Sequence, residues 1–386
     1  MDQVRIGIIG VGGMGNHHLG YLVKSEVANA RLTAVCDTDP ARVKDALARA
    51  GEGVQGFENA DDLFAAKCVD AIILATPHYF HPPYAVKGFE NGLHVLSEKP
   101  AGVYTKQVRE MNEAAAAHPE CVFSLMFNQR TRAAHQKMKQ VVELGELGEI
   151  KRVNWLITNW FRAQSYYDSG GWRATWEGEG GGVLINQCPH NLDLMQWICG
   201  MPERMRAFCF FGKYHDIEVE DDVTAYFEYE NGATGLFITT TGEAPGTNRF
   251  EISGDRGRLV LEGGKLTFTR SLVPVSQFLK EFKGGFGEPE YWTIDVPLKG
   301  DSGEHIVITR NWIDAILHGK PLLARGEEGI NSLQLSNAMH LSAWTDAWVD
   351  IPVDEDLYYE KLQEQIKSST GKKAAAGDAL KVDGTF

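Results

Sequence analysis

The sequence lacks the features that a membrane protein or a nucleic-acid-binding protein would carry. No apolar run in the chain approaches the roughly 18 residues that a membrane-spanning helix needs. The formal net charge is −14 at pH 7, and no basic cluster with interleaved aromatic residues offsets it. Because nucleic acids and anionic bilayers repel an acidic surface, we expect neither a nucleic acid nor a membrane as partner.

Cysteine is also scarce, and its spacing is not that of a metal site. The chain has six cysteines and none of them forms a C-x-x-C pair, so the pattern predicts neither a structural zinc site nor a redox dithiol. We therefore predict no metal. The first apolar segment begins at Val4, which leaves no room for a secretory signal peptide and predicts a cytoplasmic protein.

The length of the chain and the order of its apolar segments predict two domains. A chain of 386 residues is longer than a single hydrophobic core usually supports. Residues 1–127 alternate short apolar strands with helical patterns, which is typical of an α/β domain with a doubly wound parallel sheet. Residues 128–366 carry longer alternating strands and hairpin signals such as Asn231-Gly232. They predict an antiparallel sheet.

The C-terminal part of the second domain is expected to be helical. Segments 306–317 and 329–344 have apolar helical patterns. Since one face of such an antiparallel sheet must be covered by helices or by another subunit, we expect both segments to provide cover. Residues 367–386 have the composition of a C-terminal tail.

The most informative stretch lies at the start of the chain. The apolar strand Val4–Ile9 runs into a turn in which Gly10, Gly12 and Gly15 have G-x-G-x-x-G spacing. In a dinucleotide site Gly10 allows the tight turn, Gly12 lets the backbone approach a pyrophosphate, and Gly15 lets the next helix press on the strand. The diphosphate would lie at the positive end of that helix. The stretch predicts a dinucleotide-binding domain.

The end of the next strand bears on the choice of cofactor. Residues 32–36 form an apolar strand that ends at Asp37. A carboxylate about 20 residues beyond the glycines accepts hydrogen bonds from the adenosine ribose and repels a 2′-phosphate, which favours NAD. Arg42, five residues further on, can accommodate that phosphate, so NADP stays an alternative.

Later strand ends place polar residues at the same rim. The triplets Thr76-Pro77-His78, Glu98-Lys99-Pro100 and Asn128-Gln129-Arg130 each follow an apolar strand. Loops after the carboxyl ends of parallel strands line the ligand crevice of a doubly wound sheet. We therefore expect these three segments to meet at the dinucleotide site.

A second constellation follows a glycine run at residues 180–182. Pro189 is tolerated only in the first turn of a helix, so a helix should begin near residues 186–188. Asn186 and His190 would then share a face, with Asp193 one turn further on. Three other interpretations compete: Asn186 as a helix N-cap, His190 as a structural histidine, and Asp193 as a salt-bridge residue at the surface or between domains.

Together these motifs resemble one family. A strand, a G-x-G-x-x-G turn and a helix, the triplet Glu98-Lys99-Pro100, and a glycine run leading to Asn186-x-x-x-His190 are similar to the glucose–fructose oxidoreductase, inositol dehydrogenase and rhizopine-catabolism (Gfo/Idh/MocA) family. The resemblance implies an N-terminal Rossmann domain and a C-terminal domain whose open, mostly antiparallel sheet serves oligomerisation, hence a homo-dimer or homo-tetramer. It also implies NAD or NADP, and a hydroxyl or carbonyl of a sugar, inositol or related polyol as the reacting group.

The resemblance also implies roles for single residues. Lys99 matches the family's active-site lysine and His190 its proton-transfer histidine, while Asn186 stands where aspartate is common. The pair Trp172-Arg173 resembles residues that touch the cofactor, and the Lys99–Pro100 bond is expected to be cis. His305 takes a place that is often tyrosine. The predicted catalytic residues are Lys99, His190 and Asn186. The predicted cofactor contacts are Gly10, Gly12, Gly13, Met14, Gly15, Asp37, Thr38, Arg42, Thr76, Pro77, His78, His81, Glu98, Lys99, Asn128, Trp172 and Arg173. The predicted substrate contacts are Lys99, Arg130, Trp160, Asn186, His190 and His305.

From these roles a mechanism follows as a hypothesis. His190 takes the hydroxyl proton, because imidazole titrates near neutral pH, and Lys99 stabilises the developing alkoxide. Asn186 cannot carry a charge and is left a positioning role. Trp160 belongs to an aromatic-rich run whose rings would either stack on a sugar or pack against the sheet.

Three functions compete at this stage. The first is a dehydrogenase for a sugar, glycoside or inositol. The second is a redox-neutral glycosidase or lyase that oxidises C3 transiently with bound NAD and eliminates an aglycone. The third is a non-catalytic dinucleotide sensor, which the retention of Lys99 and His190 disfavours.

Overall fold

The N-terminal part of the molecule is a parallel sheet with helices on both faces. The computed structural model describes residues 2–300 and 303–369. The strands of this part are β1 (Val4–Ile9), β2 (Ala30–Cys36), β3 (Gln55–Phe57), β4 (Ala71–Leu74), β5 (His94–Ser97) and β6 (Phe123–Leu125). The helices are α1 (Gly13–Val23), α2 (Pro40–Ala50), α3 (Ala60–Ala65), α4 (His81–Glu90) and α5 (Thr105–Ala117).

The strand order places a crevice above β1. All six strands are parallel and run in the order β3-β2-β1-β4-β5-β6, so the chain reverses its winding direction between β1 and β4. At such a switch point the loops after neighbouring strands part and leave room for a ligand. Gly10 has a φ of 92° and a Cβ there would lie 2.6 Å from the carbonyl oxygen of Ala75, so only glycine fits the turn. The predicted doubly wound sheet is confirmed.

The second sheet is larger and mixed. Its strands are β7 (Ile150–Ile157), β8 (Arg204–Phe211), β9 (Glu220–Glu228), β10 (Thr234–Thr240), β11 (Asn248–Gly254), β12 (Gly257–Glu262), β13 (Lys265–Ser271), β14 (Tyr291–Val296) and β15 (Val349–Asp350). The associated helices are α6 (Ala133–Glu143), α7 (Gln164–Asp168), α8 (Pro189–Cys199), α9 (Val275–Glu281), α10 (His305–His318), α11 (Gly329–Thr345) and α12 (Glu355–Ser368).

Pairing in this sheet is antiparallel except at one place. The order is β14-β13-β12-β11-β7-β10-β9-β8-β15, and only the β7–β10 pair is parallel. One face carries buried side chains such as Trp155, Phe237 and Phe250, and the rings of Trp155 and Phe250 stack with centroids 4.1 Å apart. The opposite face leaves Phe208 and Phe210 about half exposed. The predicted open, mostly antiparallel sheet is confirmed.

The helix α10 lies where the sequence did not predict it. We expected segment 306–317 to cover the second sheet. Instead Ile308 and Trp312 are fully buried in the core of the N-terminal part, and the indole Nε1 of Trp312 donates to the carbonyl oxygen of Val122 at 3.2 Å. That part of the prediction is wrong, whereas α11 does pack against the second sheet.

The C-terminal helix α12 overlaps the predicted tail by two residues. It continues to Ser368, so the tail does not begin at residue 367. The rest of the predicted tail, residues 370–386, lies outside the described residues. Among the residues that the structure describes, no helix is long and apolar enough to cross a membrane.

Candidate active site

A single cleft runs along the carboxyl ends of the parallel strands and under residues 160–190. Its volume is about 530 Å³. Most of the predicted site residues line it, among them Gly10, Gly12, Gly13, Met14, Asp37, Thr38, Arg42, Thr76, Pro77, His78, His81, Glu98, Lys99, Asn128, Trp160, Trp172, Arg173, Asn186, His190 and His305. The cleft thus brings together residues from both halves of the chain.

The dinucleotide end of the cleft is built from the glycine turn and Asp37. Gly12 is the N-cap of α1, and a Cβ there would find only the Arg42 guanidinium within 4 Å, so the backbone is open to a ligand. The Val11 N–H donates to Asp37 Oδ2 at 2.9 Å and the Asp39 N–H donates to Oδ1 at 3.0 Å. An open helix N-terminus beside an oriented carboxylate fits the diphosphate and ribose of a dinucleotide.

Gly15 has the other role that the motif predicts. It lies inside α1 and does not line the cleft. A Cβ at Gly15 would collide with the carbonyl oxygen of Gly10. The absence of a side chain therefore lets α1 pack against the strand-to-helix turn.

Glu98 is an anion that the fold holds in place. His18 Nε2 lies 2.8 Å from Glu98 Oε1, and the Lys99 N–H donates to Oε2 at 3.2 Å. Burial alone would raise the pKa of Glu98, but the His18 hydrogen bond and the positive charges around it outweigh burial and lower that pKa to about 2. His18 in turn lies within hydrogen-bond distance of the buried Tyr21 hydroxyl, which bonds to Thr309 of α10 at 2.8 Å. Sequence analysis missed His18 because nothing in a helix sequence shows which histidine meets a carboxylate 80 residues away.

Lys99 projects into the cleft from the end of β5. Its peptide bond to Pro100 is cis, as the resemblance implied. The ammonium Nζ donates to the backbone oxygen of Asn186 at 3.1 Å. Burial lowers the pKa of Lys99, and the carboxylates of Glu98 and Glu179 partly offset that effect. An ammonium has three donors, so this lysine keeps donors for a substrate oxygen.

His190 is the second residue of α8 and lines the same cleft as Lys99. Burial, followed by the positive charges of Lys99 and His305, holds the pKa of His190 well below its ordinary value. Its Nδ1 is buried and has no hydrogen-bond partner among residues 2–300 and 303–369. The imidazole is therefore neutral near pH 7 and can accept a proton.

Asn186 does not lie on the α8 helix, which the sequence had predicted. The helix begins at Pro189 with Cys188 as N-cap and without a side-chain capping bond, so both the shared helical face and the N-cap interpretation are wrong. Asn186 sits in the preceding turn, where its side-chain Nδ2 donates to the buried carboxylate of Glu179 and its Oδ1 accepts from the Tyr166 hydroxyl at 3.3 Å.

Glu179 is a buried carboxylate that sequence analysis missed. Its side chain also accepts from the Ala174 N–H at 2.6 Å and lies 3.9 Å from Arg173 Nη1. Burial raises the pKa of Glu179. A carboxylate thus stands one hydrogen bond away from Asn186, although residue 186 itself carries no charge.

Arg130 is not on the wall of the cleft. Its guanidinium makes two hydrogen bonds to Asp193, at 2.7 and 2.6 Å, and a third to Glu328. The side chains of Arg130 and Asp193 are both 1% exposed, so this ion pair is interior. The predicted substrate contact is therefore corrected, while the salt-bridge interpretation of Asp193 holds in the interior.

His81 and Asn128 line the cleft but are tied to the backbone. The two ring nitrogens of His81 lie 2.8 Å from the carbonyl oxygens of Pro100 and Thr76, so the ring clamps the loops after β4 and β5 together. The Asn128 amide Nδ2 donates to the Gly303 oxygen at 2.6 Å. Their contacts with a cofactor remain predictions.

Two arginines on the cleft wall were not predicted. Arg132 lies two residues beyond Arg130, and Arg162 lies two residues beyond Trp160. Their only sequence signal was their proximity to residues already selected. Tyr166 and Gln187 also line this end of the cleft.

Fold and cleft define the class of protein: one built on a dinucleotide-binding Rossmann domain. Residues 4–126 match the oxidoreductase family with NAD-binding Rossmann fold, and residues 135–260 match the GFO/IDH/MocA C-terminal domain. The chain belongs to the Gfo/Idh/MocA family. The predicted family and the prediction of NAD as cofactor are thereby confirmed.

Solved structures extend the likeness over nearly the whole chain. The WlbA dehydrogenase from Chromobacterium violaceum, in complex with NADH and UDP-GlcNAcA, is 30% identical with a TM-score of 0.78, covering 92% of this chain and 97% of that one. WlbA from Bordetella pertussis, with the same ligands, is 27% identical with a TM-score of 0.76, covering 91% and 100%.

Curated relatives match over a shorter stretch. The inositol 2-dehydrogenase of Corynebacterium glutamicum is 27% identical over 198 residues, 51% of this chain and 55% of that protein. The rhizopine catabolism protein MocA of Rhizobium meliloti is 28% identical over 200 residues, 52% and 58%. The chain thus spans about half the length of the curated relatives it matches.

Proposed function

We propose that this protein is an NAD-dependent dehydrogenase that interconverts a secondary hydroxyl and a ketone on a sugar, glycoside or inositol. The observation that carries the proposal is that the glycine turn, Lys99 and His190 line one cleft. A dinucleotide at one end and a polyol at the other would meet beside the two titratable groups. The names of the relatives, an inositol 2-dehydrogenase and a dehydrogenase bound to NADH and a sugar nucleotide, support the same class.

The chemistry divides between two side chains. Bound NAD would supply the hydride acceptor. His190 is neutral near pH 7 because burial lowers its pKa, so it accepts the hydroxyl proton. Lys99, while protonated, donates to the same oxygen and stabilises the alkoxide as it develops. In the reverse direction His190 returns the proton to the ketone oxygen.

Asn186 acts by position. Its backbone oxygen holds the Lys99 ammonium at 3.1 Å, and its side chain is fixed by Glu179 and Tyr166. Asn186 therefore aims Lys99 without taking part in proton transfer.

The cofactor preference rests on Asp37. Its carboxylate is fixed by the N–H groups of Val11 and Asp39, and Arg42 Nη1 lies 3.9 Å from Oδ2. Since Asp37 offsets the charge of Arg42, we expect NAD to bind more tightly than NADP. Isothermal titration with both cofactors measures the two dissociation constants, and tighter NADP binding would refute the preference.

The function is tested by NADH fluorescence with NAD and a panel of inositols, free sugars and glycosides. Sustained NADH formation with one class supports the dehydrogenase and names its substrate. Release of an aglycone without net NADH would instead support transient C3 oxidation and cleavage. Binding of NAD with no turnover of any compound, unchanged by substitution of Lys99 or His190, would support a dinucleotide sensor.

We also propose that the protein forms a dimer or tetramer through the open face of the second sheet. Phe208 and Phe210 of β8 and Leu236 of β10 are 54%, 49% and 37% exposed on that face. Large apolar side chains exposed on one face of a sheet commonly mark a protein interface. Light scattering coupled to size-exclusion chromatography measures the mass, and Phe208→Glu should lower it to that of a monomer.

A further inference from the structure

The substrate end of the cleft is positively charged although the protein as a whole is acidic. Lys99, Arg132 and Arg162 line it, in a chain with a net charge of −14. Among residues 2–300 and 303–369, the carboxylates that line the cleft are Asp37, which belongs to the dinucleotide end, and Glu98, which accepts from His18 and the Lys99 N–H. No carboxylate among these described residues forms an ion pair with Arg132 or Arg162 within the cleft.

Arg132 reaches the cleft beside His190. Its Nε is buried and has no hydrogen-bond partner in the described part of the chain, and its side chain packs so closely on Gly303 that a Cβ there would overlap it. Arg132 is among the positive charges that lower the pKa of His190, which places the guanidinium near the proton acceptor.

Arg162 reaches the cleft on the side of Lys99. Its guanidinium carbon lies 5.7 Å from the centroid of the Trp160 ring and 5.2 Å from that of Tyr166, and Nη1 donates to the Phe161 oxygen at 2.9 Å. These contacts fix the side chain without neutralising it. Its Nε, like that of Arg132, is buried without a partner among the described residues.

Neighbouring arginines show what neutralisation looks like in this protein. Arg130 is paired with two carboxylates, and Arg173 lies 3.9 Å from Glu179. The ion pairs among residues 2–300 and 303–369 include neither Arg132 nor Arg162. Burying a guanidinium donor without an acceptor costs free energy, and an anionic ligand would remove that cost.

We propose that the substrate carries an anionic group, a carboxylate or a phosphate, and that Arg132 and Arg162 bind it in the cleft that Lys99 and His190 also line. Guanidinium groups match the planar oxygens of both anions. The proposal rests on the proposed function, because it takes the cleft to be the site of the sugar. It narrows the substrate from any polyol to an acidic sugar or a sugar phosphate.

The test uses four compounds that separate the two anions. UDP-glucuronate carries a carboxylate and a diphosphate, UDP-glucose only the diphosphate, glucuronate only the carboxylate, and glucose neither. Each is titrated into the full-length protein saturated with NADH, and the change in NADH fluorescence gives a dissociation constant. Arg132→Met and Arg162→Met are compared with Arg31→Met, whose side chain is exposed on β2 and does not line the cleft.

We expect at least one anionic compound to bind about 10- to 100-fold more tightly than glucose, the effect of charge-assisted hydrogen bonds. Each cleft variant should lose most of that preference while the affinity for NADH and the behaviour of Arg31→Met stay unchanged. If the variants lose the preference for glucuronate over glucose, the arginines bind a carboxylate. If they lose the preference for UDP-glucose over glucose, the arginines bind a phosphate. Glucose binding as tightly as all three anions, or a preference that survives both substitutions, would overturn the proposal.

Turnover assays with NAD distinguish a failure of the proposed anion site from a failure of the proposed dehydrogenase function. If wild type and variants alike form NADH from glucose as readily as from the acids, the dehydrogenase function is supported and the anion site is refuted. Arginine-dependent anion binding with no NADH from any of the four compounds keeps the anion site and counts against the dehydrogenase.

Discussion

Arg130 and Arg132 are two residues apart, and their surroundings are opposite. Arg130 is 1% exposed and bound by Asp193 and Glu328, whereas Arg132 meets the cleft and has a buried Nε without a partner among the described residues. The short 3₁₀ turn at Asn128–Thr131 directs one guanidinium inward and leaves the next at the wall. Two arginines of one turn thus serve different ends: one holds the fold together, and the other is available to a ligand.

The same division separates the other titratable groups of the site. Glu98, Glu179 and Asp193 are held by hydrogen bonds from the protein itself. Lys99 and His190 keep unsatisfied capacity that faces the cleft. We expect the groups that are hydrogen-bonded within the protein to contribute mainly to stability. Lys99 and His190, which keep hydrogen-bonding capacity, should contribute mainly to function.

The largest expected effect is on the functional side of that division. His190→Gln removes the proton acceptor and should lower kcat about 10²- to 10⁴-fold, the usual contribution of a general base. The urea midpoint of unfolding should change little, because Nδ1 of His190 has no described partner to lose. Steady-state NADH kinetics with the compound identified by the panel give kcat. A variant that retains wild-type kcat would place proton transfer elsewhere.

On the structural side, Asp193→Asn should destabilise the fold by about 3–5 kcal/mol, because it leaves the buried guanidinium of Arg130 short of charge. Arg132→Met is the matched control, and its unfolding free energy should lie within about 1 kcal/mol of wild type. Urea denaturation followed by tryptophan fluorescence measures both. Equal losses of unfolding free energy in the two variants would contradict the different roles assigned to Arg130 and Arg132.

A smaller effect on stability is expected from a substitution at Asn186. Asn186→Asp would set a second carboxylate against buried Glu179, and two adjacent carboxylates cannot both ionise without cost. We expect a loss of about 1–3 kcal/mol, recovered in the double variant Asn186→Asp with Glu179→Gln, which exchanges amide and acid. A double-mutant cycle of unfolding free energies reports the coupling. Strictly additive effects would mean that the Asn186–Glu179 contact has no energetic weight.

The smallest effect is on the pH profile of kcat/KM. The pKa of His190 is lowered from 6.5, so its proton-accepting form persists below that pH and activity is lost only as the pH falls through the lowered value. The pKa of Lys99 is lowered from 10.5, so the ammonium is lost, and activity with it, as the pH rises through a value below 10.5. Arg132→Met removes one positive charge near His190 and should move the acid limb upward. An acid limb that does not move would show that the charge of Arg132 does not affect the pKa of His190.

The sequence predicted the N-terminal fold because its signals are local. Glycine spacing, a strand before it and a carboxylate after the next strand all act within one βαβ unit, and each has a backbone cause. Asp37 was selected in the same way, whereas the roles of Lys99 and His190 came from the resemblance to the family, and the structure shows that all three residues line the cleft.

Most of the errors involved partners that are distant in the chain, whereas the start of α8 and the end of α12 were misplaced locally. Whether Arg130 or Arg132 faces the cleft depends on Asp193 and Glu328, and no local pattern in residues 128–132 shows which arginine they will neutralise. Glu179 likewise has no local sequence signal that distinguishes it from other loop residues, because its contact with Asn186 depends on the turn before α8. Helix α10 has an apolar stripe that either core would accept.

The position of α10 bears on what counts as a folding unit in this chain. Trp312 and Ile308 are fully buried in the same core cluster as the strands of the first sheet, and the Trp312 indole bonds to Val122, 190 positions earlier, so the first 127 residues do not contain their own complete core. A fragment that ends there would expose the apolar surface that α10 covers. The boundary that the sequence suggests between two domains therefore separates the two sheets, whereas the core of the first sheet continues into α10.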